Sequence, residues 1–267
     1  MSIVCMGDFG SGKTDQFHVA KAVENLIRKY DTKLILGLGD NFYPSGVKSI
    51  YDDKFLDQFE LPYSHLPKNV KFYNVLGNHD YMGKVQPQID YSQISKRWVM
   101  NNNWYYFNKT INKNTVRFYA IDTNLEKLNE KMKEEQREGI INSILSSKAK
   151  WNIVYGHHPY RSTGFHGNCS KELECFYNEL INTGKIDILL SGHDHDQQLI
   201  SVPNKPTMIV SGTGSSYRTV PKKFRKVNPN LKFYAESLGC CVLDFRTGSL
   251  IVRFFDDYSR ELFNFPV

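Results

Sequence analysis

The chain has 267 residues, 40% hydrophobic and 13% aromatic, enough to bury the core of one large sheet-containing domain without disulfide staples. Its formal charge of +6 is mild, and the basic residues are scattered among acidic ones, so no nucleic-acid partner is expected while anionic substrates remain open. No run approaches the roughly 18 apolar residues that span a bilayer, so no transmembrane segment is expected.

Residues 3–6 predict a strand that ends at Gly7-Asp8. Residues 15–30 have helical spacing, with Phe17, Ala20, Val23, Leu26 and Ile27 on one face. Residues 34–38 predict the next strand, ending at Gly39-Asp40, and the polar and aromatic stretch as far as Leu66 reads as helical in part. A third strand over residues 70–76 ends at Gly77-Asn78. This is βαβ syntax, with polar side chains emerging at strand carboxyl ends, where open sheets place their ligands.

The rhythm then repeats. Trp104-Tyr105-Tyr106-Phe107 reads as an alternating strand with one face in the core. Residues 116–121 end at Asp122, and the charged residues 125–145 read as a helix. Residues 152–155 end at Gly156-His157, and residues 186–190 lead to Gly192-His193. Strands follow at 207–210, 239–245 and 249–255, with Thr247-Gly248 as a hairpin turn. No linker, tandem repeat or low-complexity run interrupts this order, which predicts one domain over residues 1–267. Two sheets packed face to face with helices outside is the expected α/β arrangement. Periodicity alone also allows a three-layer doubly wound sheet.

Of the five cysteines, Cys5, Cys240 and Cys241 fall in apolar strands and read as buried thiols, the last two on opposite faces. Cys169 and Cys175 flank a charged stretch that enters a helix, and their pairing in an oxidising compartment is left open. No signal peptide is expected, because Met1 runs straight into the first core strand.

Five short segments carry the chemistry: Gly7-Asp8-Phe9-Gly10, Gly39-Asp40-Asn41-Phe42-Tyr43, Gly77-Asn78-His79-Asp80, Gly156-His157-His158-Pro159 and Gly192-His193-Asp194-His195. In each, glycine permits a sharp turn and a close approach, and the strand before it holds the next side chain rigidly. One Gly-Asp or Gly-His at a strand end is more often a turn than a ligand. Five in one chain, offering carboxylate, amide and imidazole donors and no thiolate set, point to borderline or hard ions such as iron, zinc or manganese. Paired ions suit phosphoryl chemistry, because they clamp both the attacking and the leaving oxygen.

In order and spacing these segments resemble the calcineurin-like metallophosphoesterases, and specifically the purple acid phosphatases of the small mammalian tartrate-resistant type. The likeness is densest from Gly77 through Tyr91-Ser92-Gln93-Ile94-Ser95-Lys96-Arg97-Trp98, and again from Gly156 to Leu199. Most metallophosphoesterases begin with Asp-x-His. Here Asp8-Phe9-Gly10 lacks that histidine, and Tyr43 follows Asp40 by three residues, as in the purple enzymes, where a tyrosinate on ferric iron gives the colour.

The resemblance implies a four-layer fold, a β-sandwich of two mixed sheets flanked by α-helices. It implies Fe(III) at Asp8, Asp40, Tyr43 and His195, with Fe(II), Zn(II) or Mn(II) at Asp40, Asn78, His157 and His193. Asp40 would bridge the two ions, and His79 and His166 would contact the phosphate group and serve its leaving group. The implied activity is an acid phosphatase that hydrolyses phosphate monoesters by attack of a metal-activated hydroxide. The implied partners are small phosphorylated substrates or phosphoproteins, with inorganic phosphate as product and the enzyme a monomer. A diesterase or nucleotide pyrophosphatase is the alternative enzyme, and a non-catalytic anchoring or binding protein the alternative of another class. The family's secreted or lysosomal setting would need a leader ahead of Met1; without one the protein is cytoplasmic.

Neighbouring residues have plainer readings. His18 and His65 read as surface residues, and His158 as a residue pointing away from the ligands but shaping the pocket. Asp80, Asp122, Asp194 and Asp196 read as loop anchors or orienters of ligands. The basic run of Arg218, Lys222, Lys223, Arg225, Lys226 and Lys232 reads as a solvated loop that can also steer phosphorylated substrates. Mammalian relatives carry a longer, cysteine-containing, protease-sensitive loop after the strand that ends at Asp122. Residues 125–138 read instead as helix without cysteine, so control by cleavage is not expected here.

Overall fold

The computed structural model describes residues 2–221 and 227–267. The chain runs β1 (Ser2–Met6), α1 (Thr14–Tyr30), β2 (Leu34–Gly37), β3 (Lys71–Asn74), α2 (Gln86–Asp90), β4 (Trp98–Val99), β5 (Tyr105–Ile111), β6 (Asn114–Ala120) and α3 (Glu130–Leu145). It continues through β7 (Trp151–Tyr155), α4 (Lys171–Asn182), β8 (Ile188–Ser191), β9 (Gln197–Ile200), β10 (Thr207–Ser211), β11 (Leu231–Ala235), β12 (Gly239–Phe245), β13 (Leu250–Asp256) and β14 (Glu261–Pro266).

The strands form two seven-stranded mixed sheets, ordered β14-β13-β12-β1-β2-β3-β4 and β11-β9-β10-β8-β7-β6-β5. In the first, β1 to β4 are parallel and β12 to β14 antiparallel. In the second, β6, β7, β8 and β10 are parallel, β5 and β9 run against them, and β11 pairs antiparallel with β9 at the edge.

The side-chain period of two sorts each strand between layers. Ile3 and Cys5 of β1 face the second sheet, in a core shared with Phe118, Ile153, Tyr155 and Leu190. Val4 and Met6 point the other way, under Val19, Val23 and Leu26 of α1. Val154 of β7 faces outward, to Ile140 and Ile144 of α3 and Phe176 and Leu180 of α4. Strands buried on both faces explain the unbroken apolar runs in the sequence. The result is the four-layer helix–sheet–sheet–helix fold, and the three-layer doubly wound alternative is excluded.

Several details differ from the sequence expectation. Phe17 is 43% exposed, so the buried face of α1 is carried by Val19, Ala20, Val23, Leu26 and Ile27 without it. The helix expected over 125–145 is two pieces, a 3-10 turn at Leu125–Lys127 and then α3. Asn129 starts the second piece: its side chain accepts the Met132 amide at 2.9 Å, a cap that a helix interior would waste. Strands β9, β11 and β14 were not expected, being polar or only half-buried. All five thiols are free, Cys169 and Cys175 included, and Cys240 and Cys241 do face opposite cores. No helix among the described residues is long and apolar enough to cross a membrane. Lys222, Lys223, Arg225 and Lys226 of the basic run lie outside the described residues.

Candidate metal centre

Parallel strands β1, β2 and β3 of one sheet and β7 and β8 of the other end at the same place. Asp8, Asp40, Asn78, His157 and His193 follow those ends, so the site straddles both sheets. The backbone is strained where the ligands turn. Asp8, Asp40 and His193 have φ of 58°, 51° and 70°, a left-handed conformation that side-chain-bearing residues avoid unless their surroundings enforce it. The sharp turn therefore falls on these polar residues themselves. Gly77 and Gly192 serve mainly to make room: a Cβ there would come 2.1 Å from Asp40 Oδ1 and 2.4 Å from Asp8 Oδ2.

The side chains form two overlapping groups. In one, Tyr43 Oη lies 3.0 Å from Asp8 Oδ1, 2.9 Å from Asp40 Oδ2 and 3.3 Å from His195 Nε2. In the other, His157 Nε2 lies 3.1 Å from Asn78 Oδ1, 3.2 Å from His193 Nδ1 and 3.5 Å from Asp40 Oδ1. Asp40 presents one oxygen to each group. All seven residues expected as ligands thus converge.

These groups fit cations better than they fit each other. The phenol has one proton for two facing carboxylates. Asp8 and Asp40 are buried, and neither meets a lysine or arginine among the described residues, only histidines. Burying carboxylates without a countercharge is costly. Asp8, Asp40 and His157 can hold an ion together, as can His157, His158 and His193, so the arrangement is that of a dinuclear metal centre.

Electrostatics follow from the same crowding. Burial pushes Asp8 up, but His157, His195 and the His193 amide outweigh it and hold the carboxyl below its usual range. Burial disfavours charged His157 and His195, yet Asp40 and Asp8 raise the first and Asp8 the second above the usual imidazole value. Burial, followed by His157, pushes His193 far down. Burial, Asp8 and Asp40 push the Tyr43 phenol well up, so a phenolate here requires a cation beside it.

Backbone and side-chain partners fix which nitrogen faces the centre. His157 Nδ1 donates to Leu38 O at 2.8 Å, and His195 Nδ1 lies 2.7 Å from Ser216 Oγ, leaving both Nε2 atoms inward. Asp80 ties the loops together, accepting from the Asn41 and Gly77 amides, and burial with Asp40 pushes its pKa up to about 7. Asp122 accepts from Tyr81 and Asn124. Asp194 and Asp196 do not orient the paired histidines. Asp194 accepts from the His166 amide at 2.7 Å and from Ser162, pinning that loop, and Asp196 accepts from Gln198.

His79 and His166 stand at the rim. The His79 amide donates to Asp40 Oδ1 at 2.9 Å, its Nδ1 donates to Pro44 O at 2.6 Å, and its ring lies over Tyr43. The His166 ring sits 4.2 Å from that of His193. Arg218 Nη1 approaches His166 Nε2 at 3.2 Å while its guanidinium covers Phe165. Burial and Arg218 lower the His166 pKa against the pull of Asp194. A cleft of about 360 Å³ between Lys13 and Ser216 opens beside Tyr43 and His195. His18 and His65 are exposed, as expected. Sequence reasoning missed Ser216 and Thr123, whose parts lie in contacts with histidines of other segments, and read His158 as pointing away. The His158 ring instead lies 4.4 Å from that of His193.

Comparison with known proteins agrees with this geometry. The calcineurin-like phosphoesterase family matches residues 1–197. Tartrate-resistant acid phosphatase type 5 of Sus scrofa is 30% identical over 88% of this chain and 76% of its own length. Purple acid phosphatase 3 of Arabidopsis thaliana is 28% identical over 98% of this chain and 76% of its own. Among solved structures, GAP50, described as the anchor in the inner membrane complex of Plasmodium, superposes with a TM-score of 0.90 at 23% identity. That structure covers all of this chain, which spans 88% of it, and at that identity the likeness speaks for the fold. The chain belongs to the calcineurin-like phosphoesterases, within their purple acid phosphatase branch.

Proposed function

We propose that residues 1–267 act as one catalytic unit, a metal-dependent acid phosphatase that hydrolyses phosphate monoesters and releases inorganic phosphate. The observation that carries this reading is Asp40, buried and shared between a Tyr43/Asp8/His195 group and an Asn78/His157/His193 group. Asp8, Asp40, Tyr43 and His195 would hold Fe(III), because phenolate and carboxylate are hard donors. Asp40, Asn78, His157 and His193 would hold Fe(II), Zn(II) or Mn(II). Such a pair supplies positive charge on both sides of a phosphoryl group and acidifies water.

The chain's own residues do the rest. With Nδ1 of His79 spent on Pro44 O, its Nε2, 3.9 Å from Asp40 Oδ2 and beyond hydrogen-bond distance of it, stands at the rim to bond a phosphoryl or leaving-group oxygen. Arg218 adds a fixed guanidinium beside His166, suited to a dianion. Asp194 keeps the His166 amide in place, so the ring stays over His193. The substrates are small phosphorylated molecules or phosphoproteins, acted on by a monomer. An anchoring role, named for the Plasmodium structure, is not favoured, since the full donor set is retained.

The test is the pH–rate profile of para-nitrophenyl phosphate hydrolysis by protein loaded with iron and a divalent ion. An acid optimum, with the rate lost in His193→Ala, is the expected outcome. No turnover at any pH with both ions bound would sink the reading.

A further inference from the structure

His158 belongs to none of the expected ligand sets, yet its ring lies 5.0 Å from that of His157 and 4.4 Å from that of His193. One nitrogen from each of the three rings lies within 4.8 Å of the others. Donors about 2.1 Å from a common ion stand up to about 4.2 Å apart, so a small tilt of one ring closes whatever gap remains.

Thr123 holds the His158 ring from its other side. The Thr123 hydroxyl accepts the His158 amide at 3.0 Å and lies 2.8 Å from Nδ1. Among the described residues no hydrogen-bond partner stands at Nε2, and with Nδ1 beside Thr123 it is the nitrogen left for an ion shared with His157 and His193. Coordination at Nε2 selects the tautomer in which Nδ1–H donates to Thr123 Oγ1, a protein acceptor orienting a metal-bound imidazole.

We propose that His158 is a ligand of the divalent ion. That side then offers three imidazoles besides Asn78 and Asp40, and favours Zn(II)-class ions over Mn(II) or Mg(II), which prefer oxygen donors. The inference rests on the metal-centre half of the proposed function and is independent of whether the enzyme turns over monoesters.

The experiment is a chelator-competition titration of metal-free protein with Zn(II), paired with the visible bands of the Co(II)-loaded protein. It compares the wild type with His158→Phe, which keeps a ring of similar size, and with His158→Gln, which keeps a polar side chain. Both variants are expected to weaken Zn(II) at the divalent side by about 10- to 100-fold and to change the Co(II) bands. Zn(II) affinity and Co(II) bands unchanged in both variants would overturn the assignment. A wild type that binds both ions and loses Zn(II) affinity on substitution, but hydrolyses nothing, would leave the ligand standing and sink only the phosphatase.

Discussion

Tyr43 Oη stands within 3.3 Å of Asp8, Asp40 and His195 at once. If a ferric ion takes the place of the phenolic proton, the tyrosinate should colour the protein. Tyr43→Phe removes the oxygen and keeps the ring over His79, so the iron-loaded variant is expected to lose its visible absorption band. Iron bound with the band intact would mean that Tyr43 lies off the metal. The seven converging residues were legible because each follows an apolar run and a glycine, or sits at fixed spacing from one that does. His158, Thr123 and Ser216 were not, because their importance lies in contacts between separate loops. The left-handed backbone at Asp8, Asp40 and His193 was hidden too, since strain of ~1–3 kcal/mol per residue leaves no mark in composition.

At the scale of elements, strand positions were legible wherever burial on both faces made an apolar run, as in β1, β7 and β8. Edge strands such as β14, alternating between exposed and half-buried, gave too weak a pattern. The loop after β6 shows how one carboxyl joins elements. Asp122 accepts from Tyr81 and Asn124, while its own amide donates to Gln136 of α3 at 2.7 Å. Burial raises its pKa above the usual carboxylate value, against those hydrogen bonds. The folded state thus takes up this proton at higher pH than the unfolded chain. Its contribution to stability is fully present below the unfolded value near ~3.9 and is lost as pH rises through the raised one. Asp122→Asn cannot titrate, so thermal melts of the variant should change less than those of the wild type as pH rises from acid toward neutral. Parallel pH profiles of melting temperature would contradict this.

For the molecule as a whole, the centre is where the two sheets are tied. Gly7 N donates to Ser211 O at 2.8 Å and Gly214 N to Gly7 O at 3.0 Å, so backbone already crosses between sheets beside the ligands. Asp8, Asp40 and Asn78 come from one sheet and His157, His193 and His195 from the other, so any ion bound there links both. Binding to the folded state alone stabilises by mass action, about 2.7 kcal/mol at a free concentration 100 times the dissociation constant. For a chain of this size that corresponds to roughly 5–10 °C in melting temperature per ion. Chelation should therefore lower the melting temperature by at least that much. Asp40→Asn, which changes the carboxylate shared by both groups, should remove most of the difference between loaded and chelated protein. The difference is the quantity to read, because neutralising a buried carboxylate can itself stabilise the metal-free chain. His18→Ala, an exposed histidine away from the site, should keep the full difference. A melting temperature indifferent to chelator in the wild type would remove the metal centre, and with it the link between the sheets.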